Sequence, residues 1–200
     1  GEAGLPRAAR SNVHRYPERH YLLGALTQHT DLSADLRQDL RARGEDALEM
    51  HSARQQNEAR FAQANAHVRA RRYADAASLY EAILANATDD IAAHRMLAWS
   101  LSRLGQHSSA WGHYERALEL NPDDFESLTN MAAITLSKGR ADGVGYLDRA
   151  LQANPHHTTA YRIYVQYLRD QGRDADAHEL AGRAREQLSA EEAEAIEQLL

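Results

Sequence analysis

The chain has 200 residues and a formal net charge of −6, and this acidic balance argues against general nucleic-acid binding, which needs a basic face. It contains no cysteine, which excludes disulfides and thiolate metal sites and leaves the compartment open between cytoplasm and periplasm, with a removed signal or anchor also open. It lacks a run of about 18 apolar residues, so we do not expect this chain to insert directly into a membrane.

The first quarter of the chain is weakly patterned. Residues 1–30 are interpreted as an N-terminal tail that ends in a short helix. Residues 31–56 are predicted to form an N-terminal extension of one or two helices, because leucines recur four apart from Leu32 and the stretch is rich in Ala, Glu, Gln and Arg. Gly44 is expected to interrupt this extension. Its thin apolar stripe indicates a segment that docks on the rest of the chain or on a partner.

The rest of the chain is dominated by a phrase that recurs about every 34 residues. Copies occupy residues 71–90, 105–124, 139–157 and 172–189. A period of this size is typical of stacked helix pairs, because one pair is too small to bury its own apolar face. Such proteins act through a surface more often than through a catalytic pocket.

Apolar residues within the recurring phrase are spaced three and four apart, which places them on one face of a helix. Small members let two helices approach closely, and larger ones fill the space beside them. The set consists of Ala76, Tyr80, Ile83, Ala110, Tyr114, Ala117, Gly143, Leu147, Ala150, Ala177, Ala181 and Ala184.

Glycines and prolines mark where the helices should end. Gly105, Gly139 and Gly172 lie where the first helix of a pair must stop and reverse. Pro122 and Pro155 each follow an asparagine and are expected to end the second helix of their pairs. The chain therefore reads as a series of antiparallel helical hairpins.

These residues resemble the tetratricopeptide repeat family. The first-helix pattern is carried by Leu97-Ala98 with Leu101, and by Met131-Ala132 with Thr135. The resemblance implies an all-α, right-handed superhelical solenoid of antiparallel helix pairs. Four units follow at residues 57–90, 91–124, 125–157 and 158–188.

The chain departs from the family pattern at several positions. The usual first-helix tryptophan is replaced by Arg60, His94, Leu128 and Tyr161. The third unit is one residue short, and Gly143 and Gly145 lie inside its second helix, which should start late or be distorted.

A final helix is predicted over residues 189–200. Ser189 followed three residues later by Glu192 is a capping-box pattern, and acidic residues suit the positive end of the helix dipole. Solenoids need a polar cap at their ends, so this capping helix should cover the apolar side of the fourth unit.

The resemblance also implies a partner-binding groove lined by the first helix of each pair. This inner face carries five arginines and only three acidic residues, with aromatic and amide side chains among them. An extended peptide or helix of another protein, with acidic side chains or a free C-terminal carboxylate, would suit it. The alternative is that these are ordinary solvated positions. The candidate partner-binding residues are Phe61, Asn65, Arg69, Arg95, Trp99, Arg103, Asn130, Arg162, Gln166 and Arg169.

Two details refine this groove. Trp99 is either an exposed binding residue or a side chain packed against Phe61 or its neighbours, whereas Trp111, on a second helix, should support the stack or the convex surface. Some family members hold a peptide carboxylate with a Lys/Asn/Arg clamp. Asn65 matches one clamp asparagine, but Met96 and Glu126 replace other members, so we expect no such clamp.

Catalysis, cofactors and metals find no support in the sequence. It has no GxxxxGK[ST], GxGxxG, GxSxG or HExxH motif, and its eleven histidines form no ligand-spaced pair with a carboxylate. Abundant Ala and Arg are typical of a GC-rich bacterial genome. The function that we infer is protein–protein binding, as a scaffold or assembly factor in a multiprotein complex. The alternative is a regulatory or substrate-recruiting domain of a larger enzyme.

Overall fold

The computed structural model describes residues 34–200, and every regular element in that range is an α helix. The interpretation of residues 1–30, and the first residues of the 31–56 extension, lie outside the described residues. The helices are α1 (Ala34–Arg69), α2 (Tyr73–Leu84), α3 (Ile91–Arg103), α4 (His107–Leu120), α5 (Phe125–Ser137), α6 (Gly143–Ala153), α7 (Thr158–Asp170), α8 (Asp174–Gln187) and α9 (Ala190–Glu197).

The chain divides into two compact units, residues 1–59 and residues 60–200. Within the described part of the first unit, α1 runs through Gly44 without a break, so the predicted interruption is wrong. A helical glycine costs only about 1 kcal/mol relative to alanine, and good helix formers on both sides outweigh it. The side chains here are largely exposed, and the ion pair between Arg54 and Glu58 at 3.3 Å is exposed too.

Residues 60–200 form an all-α solenoid of helix pairs. The end of α1 pairs with α2, and the pairs α3–α4, α5–α6 and α7–α8 follow, with α9 packed on α7 and α8. Each helix contacts mainly its neighbours in the chain, and first helices of successive pairs also touch. The twelve small and large apolar residues predicted to face the stack are all buried. The spacing of three and four residues between apolar side chains was therefore sufficient to place these twelve residues in the core.

The first helix of each pair ends in the same hydrogen-bonded turn. Gly105 has φ 78°, its N–H donates to the Ser102 carbonyl at 3.0 Å, and the N–H of Gln106 donates to the Leu101 carbonyl at 2.9 Å. This is a Schellman turn, which requires a left-handed residue and so favours glycine. Gly139 and Gly172 have φ values of 73° and 69° in matching turns. The predicted reversals are thus observed.

The first pair uses Arg71 where the other three pairs have glycine. Its φ is 58°, and the N–H of Arg72 donates to the His67 carbonyl in the same pattern at 2.9 Å. A residue with a Cβ pays about 1 kcal/mol in this conformation. We therefore expect Arg71→Gly to raise the free energy of unfolding by about 0.5–1 kcal/mol in chemical denaturation.

The matched control for this prediction is Arg72→Gly. Arg72 has an ordinary φ of −89°, so glycine relieves nothing there and should leave the stability unchanged or lower it. If the two glycine variants gain the same stability, the strain at Arg71 is not the cause.

The third pair is shaped by Gly143. Helix α6 begins four residues after Gly139, whereas α4 and α8 begin two residues after their turn glycines, so the late start is confirmed. A Cβ on Gly143 would lie 2.7 Å from Cγ of Leu136 and 3.2 Å from the Ala132 carbonyl oxygen. Glycine is needed here because α5 approaches too closely for any larger residue.

The last helix carries the predicted capping box. Ser189 accepts a hydrogen bond from the Glu192 N–H, and the Glu192 carboxylate accepts from the Ser189 N–H at 3.2 Å. Ala193 and Ile196 on its inner face are buried, with exposed fractions of 4% and 1%, and Ile196 joins the apolar cluster of the last two pairs. Helix α9 therefore covers apolar surface that α7 and α8 would otherwise expose.

Candidate functional site: a cleft across the first helices

A cleft of about 280 Å³ lies across the first helices of the four pairs. Side chains spaced three and four apart point into it from each helix, because such residues share a face. It is lined by Val68 of α1, by Arg95, Met96 and Trp99 of α3, by Glu126, Thr129 and Asn130 of α5, and by His157, Thr159 and Ile163 at and within the start of α7. Three of the predicted binding residues, Arg95, Trp99 and Asn130, therefore meet in one site.

Arg95 lines the cleft and is held by two carboxylates. Its Nη1 lies 2.7 Å from Oδ1 of Asp124 and 2.8 Å from Oε2 of Glu126. The Asp124 side chain is only 7% exposed, and its other oxygen accepts the Ser127 N–H at 3.1 Å, which caps α5. Arg95 thus ties α3 to the start of α5, and its positive charge is balanced inside the protein.

Two other polar side chains of the cleft are also bonded internally. Oγ1 of Thr129 donates to the Phe125 carbonyl at 2.7 Å, and Nδ2 of Asn130 donates to the Glu126 carbonyl at 2.8 Å. One N–H of Asn130 and the acceptor oxygens of both side chains remain for a ligand. The free surface of the cleft is consequently more apolar than its residue types suggest.

Trp99 is half-buried and forms part of the cleft wall. Its ring meets that of Tyr73 edge to face, with centroids 5.4 Å apart, and the guanidinium of Arg103 lies 5.9 Å from the Trp99 centroid and 5.5 Å from that of Tyr73. Phe61 instead meets Tyr80 at 5.3 Å. Trp99 therefore packs on a neighbour other than Phe61 and still faces the cleft. Arg103 is engaged by the rings beside it.

The candidates on α1 do not line the cleft, although Val68 does. Oδ1 of Asn65 accepts a hydrogen bond from the Tyr80 hydroxyl at 2.7 Å. Burial raises the pKa of Tyr80 to about 12, against the opposing effect of Arg69, so this hydroxyl stays a donor at neutral pH. Asn65 thus fastens α1 to α2, and Arg69 is exposed beside them.

The candidates on α7 also lie outside the cleft. Gln166 donates to Asp170 at 2.9 Å, one turn along the helix. Arg169 donates to the Leu199 carbonyl and so ties α7 to the end of the chain. Arg162 is exposed next to Ile163. Of the ten candidates, only Arg95 and Trp99 of α3 and Asn130 of α5 therefore line the cleft.

Seven of the ten lining residues are not among the candidates predicted from the sequence: Val68, Met96, Glu126, Thr129, His157, Thr159 and Ile163. The ring of His157 packs on that of Phe125 with centroids 4.8 Å apart. Burial lowers the pKa of His157, partly offset by the carboxylate of Glu126, so the ring is uncharged at neutral pH. Ile163 could have been found, because it lies four residues after Thr159 on the inner face.

Two further features, a metal-binding cluster and a membrane-spanning helix, are absent from residues 34–200. In that range no cluster of three or more His, Asp and Glu side chains could hold a metal ion. No described helix is both long and apolar enough to cross a membrane.

Trp111, on α4, meets Tyr146 edge to face at 6.0 Å and donates to Glu115 at 2.7 Å, so it supports the stack as predicted.

A pair of histidines joins α3 to α4 away from the cleft. Nε2 of His94 lies 2.9 Å from the Thr88 carbonyl oxygen, so it carries the hydrogen, and Nδ1 of His94 accepts from Nδ1–H of His113 at 3.1 Å. Burial and the neighbouring His94 lower the pKa of His113, whereas Glu81 raises it. Only one hydrogen fits between the two Nδ1 atoms, so the contact cannot hold a proton on both at once.

This pair predicts a loss of stability on acidification. The pKa of His113 is lowered in the folded state from its ordinary value of 6.5, so the unfolded chain takes up the proton first as the pH falls below 6.5. We expect the free energy of unfolding to fall between about pH 7 and about pH 5, and His113→Gln to reduce that fall. Chemical denaturation at several pH values measures it. His107→Gln, at an exposed position, is the control and should leave the slope unchanged.

Comparison with known proteins identifies the repeats. Residues 41–91 match one tetratricopeptide repeat family model, and residues 91–134 match a second. Residues 41–134 therefore carry tetratricopeptide repeats, and the solenoid of helix pairs is the fold that such repeats form. The pair α7–α8 lies beyond the matched residues and has the same hairpin geometry in the structure.

Solved structures share this fold. TTC0263, a thermophilic tetratricopeptide repeat protein of Thermus thermophilus, aligns with a TM-score of 0.62 at 17% identity over 90% of this chain and 95% of its own. MamA aligns with a TM-score of 0.59 at 14% identity over 78% and 95%. YrrB, described as having an unusual peptide-binding site, aligns with a TM-score of 0.56 at 18% identity over 96% and 98%. No curated protein matches the sequence.

Proposed function

We propose that this protein is a binding module that receives an extended segment of a partner protein in the cleft, and that it acts as a scaffold or assembly factor in a multiprotein complex. The observation that carries the proposal is the composition of the cleft. Its walls come from the first helices of all four pairs and include a half-buried tryptophan, a residue type enriched at interface hot spots.

The shape of the site and its relatives support this function. Tetratricopeptide repeat proteins are interaction modules, and the YrrB structure, which shares the fold, is described as a peptide-binding one. The cleft runs across successive helices, so an extended segment can touch several pairs at once. Of the arginines predicted to attract an acidic partner, Arg95 alone lines the cleft, and it is already paired with Asp124 and Glu126, so we do not retain the preference for carboxylates.

The test uses peptides selected from a random displayed library on the wild-type protein. Trp99→Ala is expected to weaken their binding by about 2 kcal/mol, roughly 30-fold, because the ring contributes much of the cleft wall. Isothermal titration calorimetry measures the affinity.

Trp111→Ala is the matched control for that variant. Both tryptophans are half-buried and meet a tyrosine edge to face, but Trp111 lies on a second helix outside the cleft. The two substitutions should lower the melting temperature by similar amounts, whereas only Trp99→Ala should weaken binding. Equal losses of affinity would place the interface elsewhere.

A further inference from the structure

The chemistry of the cleft restricts the partner further, provided that the proposed function holds. The cleft has few polar groups left for a ligand. Arg95 already pairs through Nη1 with Asp124 and Glu126, and the hydroxyl of Thr129 and one of the two N–H groups of Asn130 are bonded to carbonyls of their own helix. A partner carboxylate would meet an arginine whose charge two carboxylates already balance, so it would gain less there than at an unpaired arginine.

The net charge of the lining residues also argues against an acidic partner. Among the lining residues Arg95 carries one positive charge and Glu126 one negative charge, and the carboxylate of Asp124 lies beneath Arg95. His157, packed on Phe125 and partly buried, adds no charge at neutral pH. The exposed arginines of the inner face, Arg69, Arg103, Arg162 and Arg169, do not line the cleft. Of these, Arg103 lies on the rings of Tyr73 and Trp99. The potential of the cleft is therefore neither strongly positive nor strongly negative.

The remaining surface is apolar and limited in size. Met96 and Trp99 of α3, Ile163 of α7 and Val68 of α1 all line the cleft. A volume of about 280 Å³ lies at the lower edge of the ~300–1,000 Å³ range of small-molecule sites, so the cleft suits a side chain better than a whole cofactor. Thr129 and Asn130 retain acceptor oxygens that can receive backbone N–H groups.

We propose that the cleft recognises an uncharged partner segment through one large aliphatic or aromatic side chain, such as leucine, methionine or phenylalanine, which enters between Met96, Trp99 and Ile163. Affinity then arises from apolar burial, and salt has little effect on it, because salt screens only interactions between charges. The neighbouring backbone of the segment lies over the acceptors of Thr129 and Asn130.

The test measures peptides selected from a random library on a Trp111→Phe variant, in which Trp99 is the one remaining tryptophan and its fluorescence reports the cleft. The selected peptides should share a large apolar residue, and its replacement by alanine should weaken binding about tenfold or more. Their affinity should change less than about threefold between about 0.05 M and about 0.5 M NaCl.

A second variant, Glu126→Gln, separates the proposal from acidic recognition. It removes one carboxylate from Arg95 and leaves the capping Asp124 in place. The apolar peptides should bind it within about threefold of the parent protein, because no charge takes part. Selected peptides that share Asp, Glu or a free carboxylate, bind Glu126→Gln more tightly and weaken about tenfold in high salt would overturn the proposal. If no selected peptide changes the fluorescence of Trp99, the proposed function itself fails.

Discussion

Ala150→Glu is expected to lower the free energy of unfolding by about 4 kcal/mol or more, a large part of the ~5–15 kcal/mol of a typical domain. Ala150 is fully buried on α6, in the apolar cluster formed with α5, α7 and α8. A glutamate there must bury an unpaired carboxylate and also overfill a close helix contact. Ala117→Glu, at the equivalent position of α4, should behave alike. Thermal and urea unfolding followed by circular dichroism measure both effects.

Ala141→Glu is the control, because Ala141 is exposed in the turn before α6. It adds the same side chain to the same pair and should change the stability by no more than about 0.5 kcal/mol. A similar loss at Ala141 and Ala150 would mean that the repeat register described here is wrong.

The second large effect concerns the capping helix. Ile196 is 1% exposed and packs on the apolar cluster of the last two pairs, so Ile196→Ala should cost about 2–4 kcal/mol. Deleting residues 189–200 should cost more and should cause association, because apolar surface of α7 and α8 becomes exposed. Unfolding curves and size-exclusion chromatography at several concentrations report the two outcomes.

The matched change for the cap is Glu194→Ala, at an exposed position of the same helix. It keeps the helix and its inner face, so the stability should stay within about 0.5 kcal/mol. A protein that melts at the same temperature and stays monomeric without residues 189–200 would show that α9 is not a cap.

The core of the solenoid was predictable because helical periodicity is a local property. Ala110, Tyr114 and Ala117 are spaced to share a face, and burial of that face is the only way in which a small pair can hide apolar surface. The turn glycines were predictable for a similar reason, since a left-handed residue is needed there. The left-handed conformation of Arg71 was not predictable, because no sequence pattern indicates an arginine with a φ of 58°.

The site was predictable only in part, because inner-face position does not say which side chains converge. Arg95 and Trp99 were placed correctly in the cleft, but nothing local reveals that Asp124, one pair further along the chain, neutralises Arg95. Asn65 and Gln166 share the inner-face spacing, yet they bond to Tyr80 and Asp170 instead. Such pairings depend on tertiary distances that the linear pattern does not contain.

Four successive pairs contribute the cleft walls, so binding in the cleft affects how the pairs unfold locally. Stacked repeats can fray from either end, because each pair contacts mainly its neighbours. Val68, Trp99, Asn130 and Ile163 are brought together only when all four pairs are folded at once. Occupancy of the cleft therefore couples the opening of otherwise semi-independent repeats, so a bound segment should slow amide hydrogen exchange in the outermost helices as well as beneath itself.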